Sequence, residues 1–256
     1  MTTQTGTQLS ATLAKVPQVT LLFWVLKILC TTFGETGGDA VTMSMNLGYL
    51  VGTVIFAVLF LVMAFFQIRV RHFHAPLYWA TIIATTTVGT TLADFADRSL
   101  GIGYAGGSAL LLGLLGLSLG VWFAVERSIS VSTVSSPRVE GFYWITILFS
   151  QTLGTALGDW TADSEGLGYL GGIAIFAALL AVLAGCYFWK KISRTFLFWA
   201  AFVLTRPLGA VVGDFLDKPH AQGGLALSRY SASAVLLVLL LAGIFCFRHK
   251  AAEKAH

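Results

Sequence analysis

The stretches WVLKILCTTFGETGGD (residues 24–39), WATIIATTTVGTTLAD (79–94), WITILFSQTLGTALGD (144–159) and WAAFVLTRPLGAVVGD (199–214) align without a gap. Each opens on Trp: Trp24, Trp79, Trp144 and Trp199. Each then carries Gly34, Gly89, Gly154 or Gly209, a small residue four further on (Gly38, Ala93, Gly158, Gly213), and immediately after it Asp39, Asp94, Asp159 or Asp214. A Tyr follows in every copy (Tyr49, Tyr104, Tyr169, Tyr230), preceded by Gly48, Gly103 and Gly168 in the first three. Identities held at one register through four copies mean duplication. The second and third copies, with GTTLAD and GTALGD, are the most alike.

Outward from these stretches, the 256 residues are 56% hydrophobic and only 11% charged, where a soluble domain carries about 25% charged residues. Eight apolar segments reach or approach the roughly 20 residues needed to cross a bilayer as a helix. They fall at 19–40, 47–67, 76–97, 103–125, 141–162, 167–189, 194–215 and 226–248. The expected architecture is therefore an all-α polytopic membrane protein, eight transmembrane helices in four parallel two-helix repeats. Residues 1–18 form a polar N-terminus, 19–67, 76–125, 141–189 and 194–248 the repeats, and 249–256 a basic tail. The first 18 residues lack the basic start and short apolar core of a secretory signal. Cys30, Cys186 and Cys246 sit in apolar segments without metal-ligand spacing, which argues against disulfides and zinc.

An even number of helices per unit gives every unit the same orientation, as in parallel rather than inverted repeats. Both termini and all inter-unit loops then share one side. That side holds Lys15, Arg69, Arg71, Arg127, Arg138, Lys190, Lys191, Arg194, Arg248, Lys250 and Lys254, eleven of the sixteen basic residues. The positive-inside rule places it in the cytoplasm. The net charge of +4 is thus a topology signal, and nothing else in the chain suggests nucleic acid. Each Trp near the start of a first helix is expected to be an interfacial anchor. The Gly-x-x-x-small pairs (Gly34/Gly38, Gly89/Ala93, Gly154/Gly158, Gly209/Gly213) would let helix backbones approach closely. The first helices are then expected to pack as an inner ring or as two crossing pairs, with the plainer second helices outside.

Four tandem two-helix repeats with a recurrent Trp resemble the bacterial membrane proteins grouped as a repeat domain of unknown function (number 347), over residues 19–248. The resemblance implies the fold outline and no substrate. The run Gly-Glu-Thr-Gly-Gly-Asp at 34–39 is also similar to the acidic-Gly-Asp signature of small bacterial cation exporters. It departs from that signature by lacking the Lys/Arg-Thr/Ser pair after the Asp.

Acids pair at the far end of each first helix: Glu35 with Asp39, Asp94 with Asp97, Asp159 with Asp163, Asp214 with Asp217. Three- and four-residue spacings put both carboxylates on one helix face, where like charges oppose folding. A shared proton, a bound cation or a basic partner would relieve them, and Lys27, Arg98, Arg206, Lys218 and Arg229 are the candidate partners. Glu165 joins the same regions. Asp near a helix end can also cap it, and a loop acid can simply be solvated.

Inward from the acids lies a polar layer, Thr31, Thr86, Gln151 and Arg206, followed by Thr32, Thr87, Thr152 and Pro207. Lys27 and Arg206 are deep enough to need counter-charges. Glu35 is the expected partner of Lys27, and an acid of another unit that of Arg206. The run Asp214, Asp217, His220 has metal-ligand chemistry, although Pro219 interrupts it; His72 and His74 read as solvated loop residues. No catalytic nucleophile–base set, phosphate loop or HExxH is present, and no cofactor is indicated. Two functions remain: a transporter or channel for a small cation, a divalent metal or a proton-coupled substrate, and a membrane scaffold or sensor whose polar core only specifies packing. Transport predicts the Asp carboxylates converging on a wet vestibule; a scaffold predicts separate, satisfied networks.

Overall fold

What starts the first helix of each unit is visible at its N-terminus. Thr20, His74, Ser136 and Ser193 accept a hydrogen bond from a backbone N–H of the first turn of the helix each precedes, which satisfies one donor that a helix start leaves free. His74 is therefore a cap rather than a free loop side chain. The computed structural model describes residues 14–164, 166–189 and 191–252. Most of the polar N-terminal stretch, Glu165, Lys190 and Lys254 lie outside the described residues. The helices are α1 (Leu21–Asp39), α2 (Gly48–Arg69), α3 (Ala75–Asp94), α4 (Tyr104–Glu126), α5 (Pro137–Asp159), α6 (Gly168–Tyr187), α7 (Arg194–Asp217) and α8 (Arg229–Phe245). Among the described residues there is no β-strand, only an isolated bridge between Pro17 and Ala251. Four helices, α2, α4, α6 and α7, are long and apolar enough to cross a membrane. In α1, α3 and α5 the buried Thr, Gln and acidic residues dilute the apolar character.

The first helices of the four units close a ring: α1 packs on α3, α3 on α5, α5 on α7, and α7 back on α1. Each second helix leaves its own unit and lies against the first helix of the next: α2 on α3, α4 on α5, α6 on α7, and α8 on α1. The ring is built by the glycines. A Cβ on Gly89 would stand 2.9 Å from the Gln151 Cβ. The equivalent Cβ on Gly34 would strike Thr86, on Gly154 Arg206, and on Gly209 Thr31. Each unit's Gly thus receives the polar-layer residue of the next unit, around the full circle. The second small position repeats the arrangement one turn on, Gly38 against Thr90, Gly158 against Ala210 and Gly213 against Glu35.

At the end of the ring that carries the termini, the tryptophans are not interfacial anchors. Trp79, Trp144 and Trp199 are buried, and Trp24 is partly covered. Each packs on the aromatic residue that precedes the Trp of the previous unit: Phe23–Trp79 at 5.4 Å, Tyr78–Trp144 at 5.7 Å, Tyr143–Trp199 at 6.1 Å and Phe198–Trp24 at 5.8 Å between ring centroids. Helices held apart by large side chains at this end need aromatic volume to fill the interior to normal density. Residues 14–18 then cross the same face. The Lys15 ammonium meets the Glu140 carboxylate and donates to the Gln67 and Ile68 carbonyls (3.0 and 3.1 Å). The Gln18 amide donates to the Lys250 carbonyl, and the Ala252 amide to that of Val16 (both 2.8 Å). Lys15, one of the basic residues assigned to this side, is buried there.

At the opposite end, Asp39, Asp94 and Asp159 are each the last α-helical residue before a five-residue π-helical turn, at Ala40–Ser44, Phe95–Ser99 and Trp160–Ser164. The chain then reverses into the second helix through Gly48, Gly103 and Gly168, whose φ values of +76°, +76° and +63° suit a residue without a Cβ.

Candidate functional site

The ring axis is lined by every fourth residue of the first helices. Starting at the terminal end, the layers are Lys27, Ile82, Ile147, Phe202; then Thr31, Thr86, Gln151, Arg206; then Glu35, Thr90, Thr155, Ala210; then Asp39, Asp94, Asp159, Asp214. All sixteen side chains are buried.

In the second layer the hydroxyls tie adjacent helices together. Thr31 Oγ1 donates to the Thr205 carbonyl (3.3 Å), and Thr86 Oγ1 to that of Cys30 (3.1 Å), the same bond one unit apart. Lys27 does not meet Glu35. Its Nζ donates to Gln151 Oε1 at 3.3 Å and lies 4.3 Å from the centre of the Phe202 ring. Glu35 belongs instead to Arg206, whose Nη2 reaches Glu35 Oε2 at 3.0 Å. The same nitrogen donates to Thr90 Oγ1 and to Thr155 Oγ1 (2.6 Å), while Nη1 reaches the Thr31 carbonyl (3.4 Å). One guanidinium therefore binds groups from all three other units, and a charge there needs that many partners.

The four register-locked Asp carboxylates converge just beyond. Glu35, Asp159 and Asp214 bring one oxygen each within 4.8 Å of one another, and so do Asp39, Asp214 and Asp217. Three basic side chains from the loop side close over them. Lys218 Nζ lies 2.6 Å from Asp39 and 3.0 Å from Asp214. Arg98 bridges Asp94 (2.9 Å), Asp159 (3.3 Å) and Asp163 (3.9 Å). Arg229 reaches Asp217 (2.9 Å) and Asp39 (3.7 Å). Six buried carboxylates, Glu35, Asp39, Asp94, Asp159, Asp214 and Asp217, thus face four paired cations at this end, and burial does not permit that imbalance without a proton or a further cation. Lys218, outside the apolar stretch of α7, has its ammonium form strengthened: burial works against it, and Asp214, Asp39 and Asp217 outweigh that cost.

The remaining expected residues are placed as follows. Asp97 does not share a face with Asp94. The π-helical turn carries it toward Gly107 of α4, where both its carboxylate oxygens are buried without a hydrogen-bond partner. Asp163 is exposed and accepts a bond from the Tyr104 hydroxyl (3.1 Å). Asp217 joins the cluster, but His220 does not; its ring faces the Gly224 carbonyl at 2.9 Å, in the loop after α7. Thr32, Thr87 and Thr152 bond back to carbonyls of their own helices. Thr90 and Thr155 were not singled out from the sequence, although they stand at the repeat position of Glu35 and counting from the Trp would have found them. The acids meet in one place, as transport would require, yet that place is closed over by basic side chains rather than an open vestibule.

A family model described as a Repeat of Unknown Function (DUF347) matches the chain four times, at residues 22–73, 77–128, 142–193 and 197–251. No curated protein and no solved structure matches.

Proposed function

The chain belongs to the DUF347 repeat family, and we propose that it is a transporter for a small cation, a divalent metal ion or a proton-coupled substrate. The observation that carries this reading is the convergence of Glu35, Asp39, Asp94, Asp159 and Asp214 from all four units on one buried axis, with fewer cations than carboxylates around them. Ionisable groups at such depth line pathways or pair with one another. Here Lys218, Arg98 and Arg206 act as resident counter-charges, and an entering cation would displace them from the carboxylates. Asp163 and Asp217 flank that entry, and the Thr31, Thr86 and Gln151 layer would carry the ion inward. Lys27 and the aromatic belt form the barrier that would have to open on the other side. With this function goes a topology of eight membrane-crossing helices in a bacterial inner membrane, both termini cytoplasmic. The exposed Arg69, Arg71, Arg127, Arg138 and Arg248 on the terminal face support it.

A second reading, a scaffold or sensor whose polar core specifies helix pairing, is favoured by a different observation: each register Asp already has a basic partner. Isothermal titration separates the two. Purified protein is titrated with Mn²⁺, Mg²⁺, Ca²⁺ and Zn²⁺ beside the Asp94→Asn/Asp159→Asn variant, and flux is then followed in liposomes, including with a pH-sensitive dye. Saturable binding or proton flux lost in the variant supports transport. Neither signal in either protein, with the variant only less stable, moves the conclusion to the scaffold.

A further inference from the structure

Of the four equivalent slots between adjacent first helices, one is a groove among the described residues. Eighteen residues after the repeat Tyr, the second helices carry Gln67, Trp122 and Tyr187. Trp122 is wedged between α5 and α7, its ring 6.3 Å from Tyr143 and 5.8 Å from Trp199. Gln67 is buried beneath Lys15 at the equivalent place between α3 and α5. Between α1 and α3 the C-terminal tail serves, His249 lying 6.3 Å from Trp79. Between α7 and α1 none of the described residues fills the slot. Tyr187 is 56% exposed, held outward by Arg194, whose guanidinium lies 3.9 Å over its ring and donates to its carbonyl. Phe198 and Trp24, the counterparts of Tyr143 and Trp199, therefore line a groove of about 850 Å³. Trp24 is accordingly the one repeat Trp left partly uncovered.

We propose that this groove holds an anionic phospholipid, one acyl chain in the slot between Phe198 and Trp24 and the headgroup phosphate at Arg194. The proposal rests on the reading that the helices cross a membrane. The walls are apolar, from Ile28, Leu180, Leu183 and Ala201, and the surrounding Leu21, Phe188 and Phe196 face outward, so a bilayer lipid is what meets the opening. At the rim stand the exposed Arg194 and Lys191. A guanidinium binds a phosphate through paired donors, and basic pockets on this side of a bundle suit acidic headgroups. A volume in this range accommodates a ligand of drug size or larger.

The test is native mass spectrometry of detergent-extracted protein incubated with phosphatidylglycerol or with phosphatidylcholine of the same chains. The wild type should retain about tenfold more phosphatidylglycerol, a difference of about 1.4 kcal/mol. Arg194→Ala should abolish that preference, and Ala201→Trp, which fills the slot, should lose both adducts. A folded Ala201→Trp variant that keeps the lipid, or equal retention of the two lipids by the wild type, overturns the proposal. A second measurement does not depend on that variant folding. Quenching by brominated phosphatidylglycerol should contain a saturable part that Trp24→Phe removes and unlabelled phosphatidylcholine does not displace; its absence overturns the proposal as well. Neither readout involves cation binding, so either conclusion can fail alone.

Discussion

Gly89 and Gly113 are both helical glycines, and their surroundings predict opposite outcomes. A Cβ on Gly89 meets Gln151 at 2.9 Å, whereas one on Gly113 meets nothing within 4 Å. Gly89→Ala should cost about 1–3 kcal/mol through overpacking, and Gly113→Ala should stabilise by about 0.5–1 kcal/mol through the lost flexibility of glycine. Thermal melting in one detergent measures both. At the same scale, Arg206→Ala leaves Glu35 buried without its counter-charge, a loss of about 3–5 kcal/mol. Removing both charges together, as Arg206→Met with Glu35→Leu, should recover most of that stability. A double variant no more stable than Arg206→Ala would show that the pair does not carry the cost.

Among the elements, the joint of residues 14–18 with α5 makes a pH-dependent contribution through Glu140. Burial pushes the Glu140 carboxyl up to about 7, while the hydrogen bond and charge of Lys15 draw it down. Glu140 lies ahead of the apolar stretch of α5. In the unfolded chain such a group titrates near 4.3, so the fold favours the protonated form. Its contribution is complete below about pH 4.3 and is lost as the pH rises through about 7. Glu140→Gln removes that dependence. The melting temperature of the variant should therefore gain on the wild type between pH 5 and pH 8; a constant difference would show that the carboxyl is ionised throughout. The aromatic belt belongs to this scale too. Trp144→Ala should cost about 3–5 kcal/mol, because Trp144 is a buried wedge against Tyr78 and Tyr143 rather than a side chain resting in an interface.

For the whole molecule, ring closure has a direct test. The Gln18 amide bonds to the Lys250 carbonyl, and α7 and α8 both lie on α1, so the fourth and first units pair helix on helix as the other units do, the groove between α7 and α1 apart. A circular permutant with the termini linked and the chain opened in the loop between α4 and α5 should fold and melt close to the wild type. Aggregation of the permutant would show that the ends are not equivalent to an inter-unit loop. By itself the sequence determined the four-fold duplication, the parallel sense of the units, the small-residue stripe and the polar layers. All of these are properties of register along one chain, and counting from Trp24, Trp79, Trp144 and Trp199 is enough to read them. Only the tertiary structure decided that the units form one ring and which charges meet. Arg206 and Glu35 are 171 residues apart, and Lys218 and Asp39 are 179, so no local spacing relates them. Helical spacing misled at Lys27 for the same reason and at Asp97 for a local one. The Lys27 ammonium found an amide and an aromatic ring on neighbouring helices, and a π-helical turn with no mark in the sequence carried Asp97 away from Asp94.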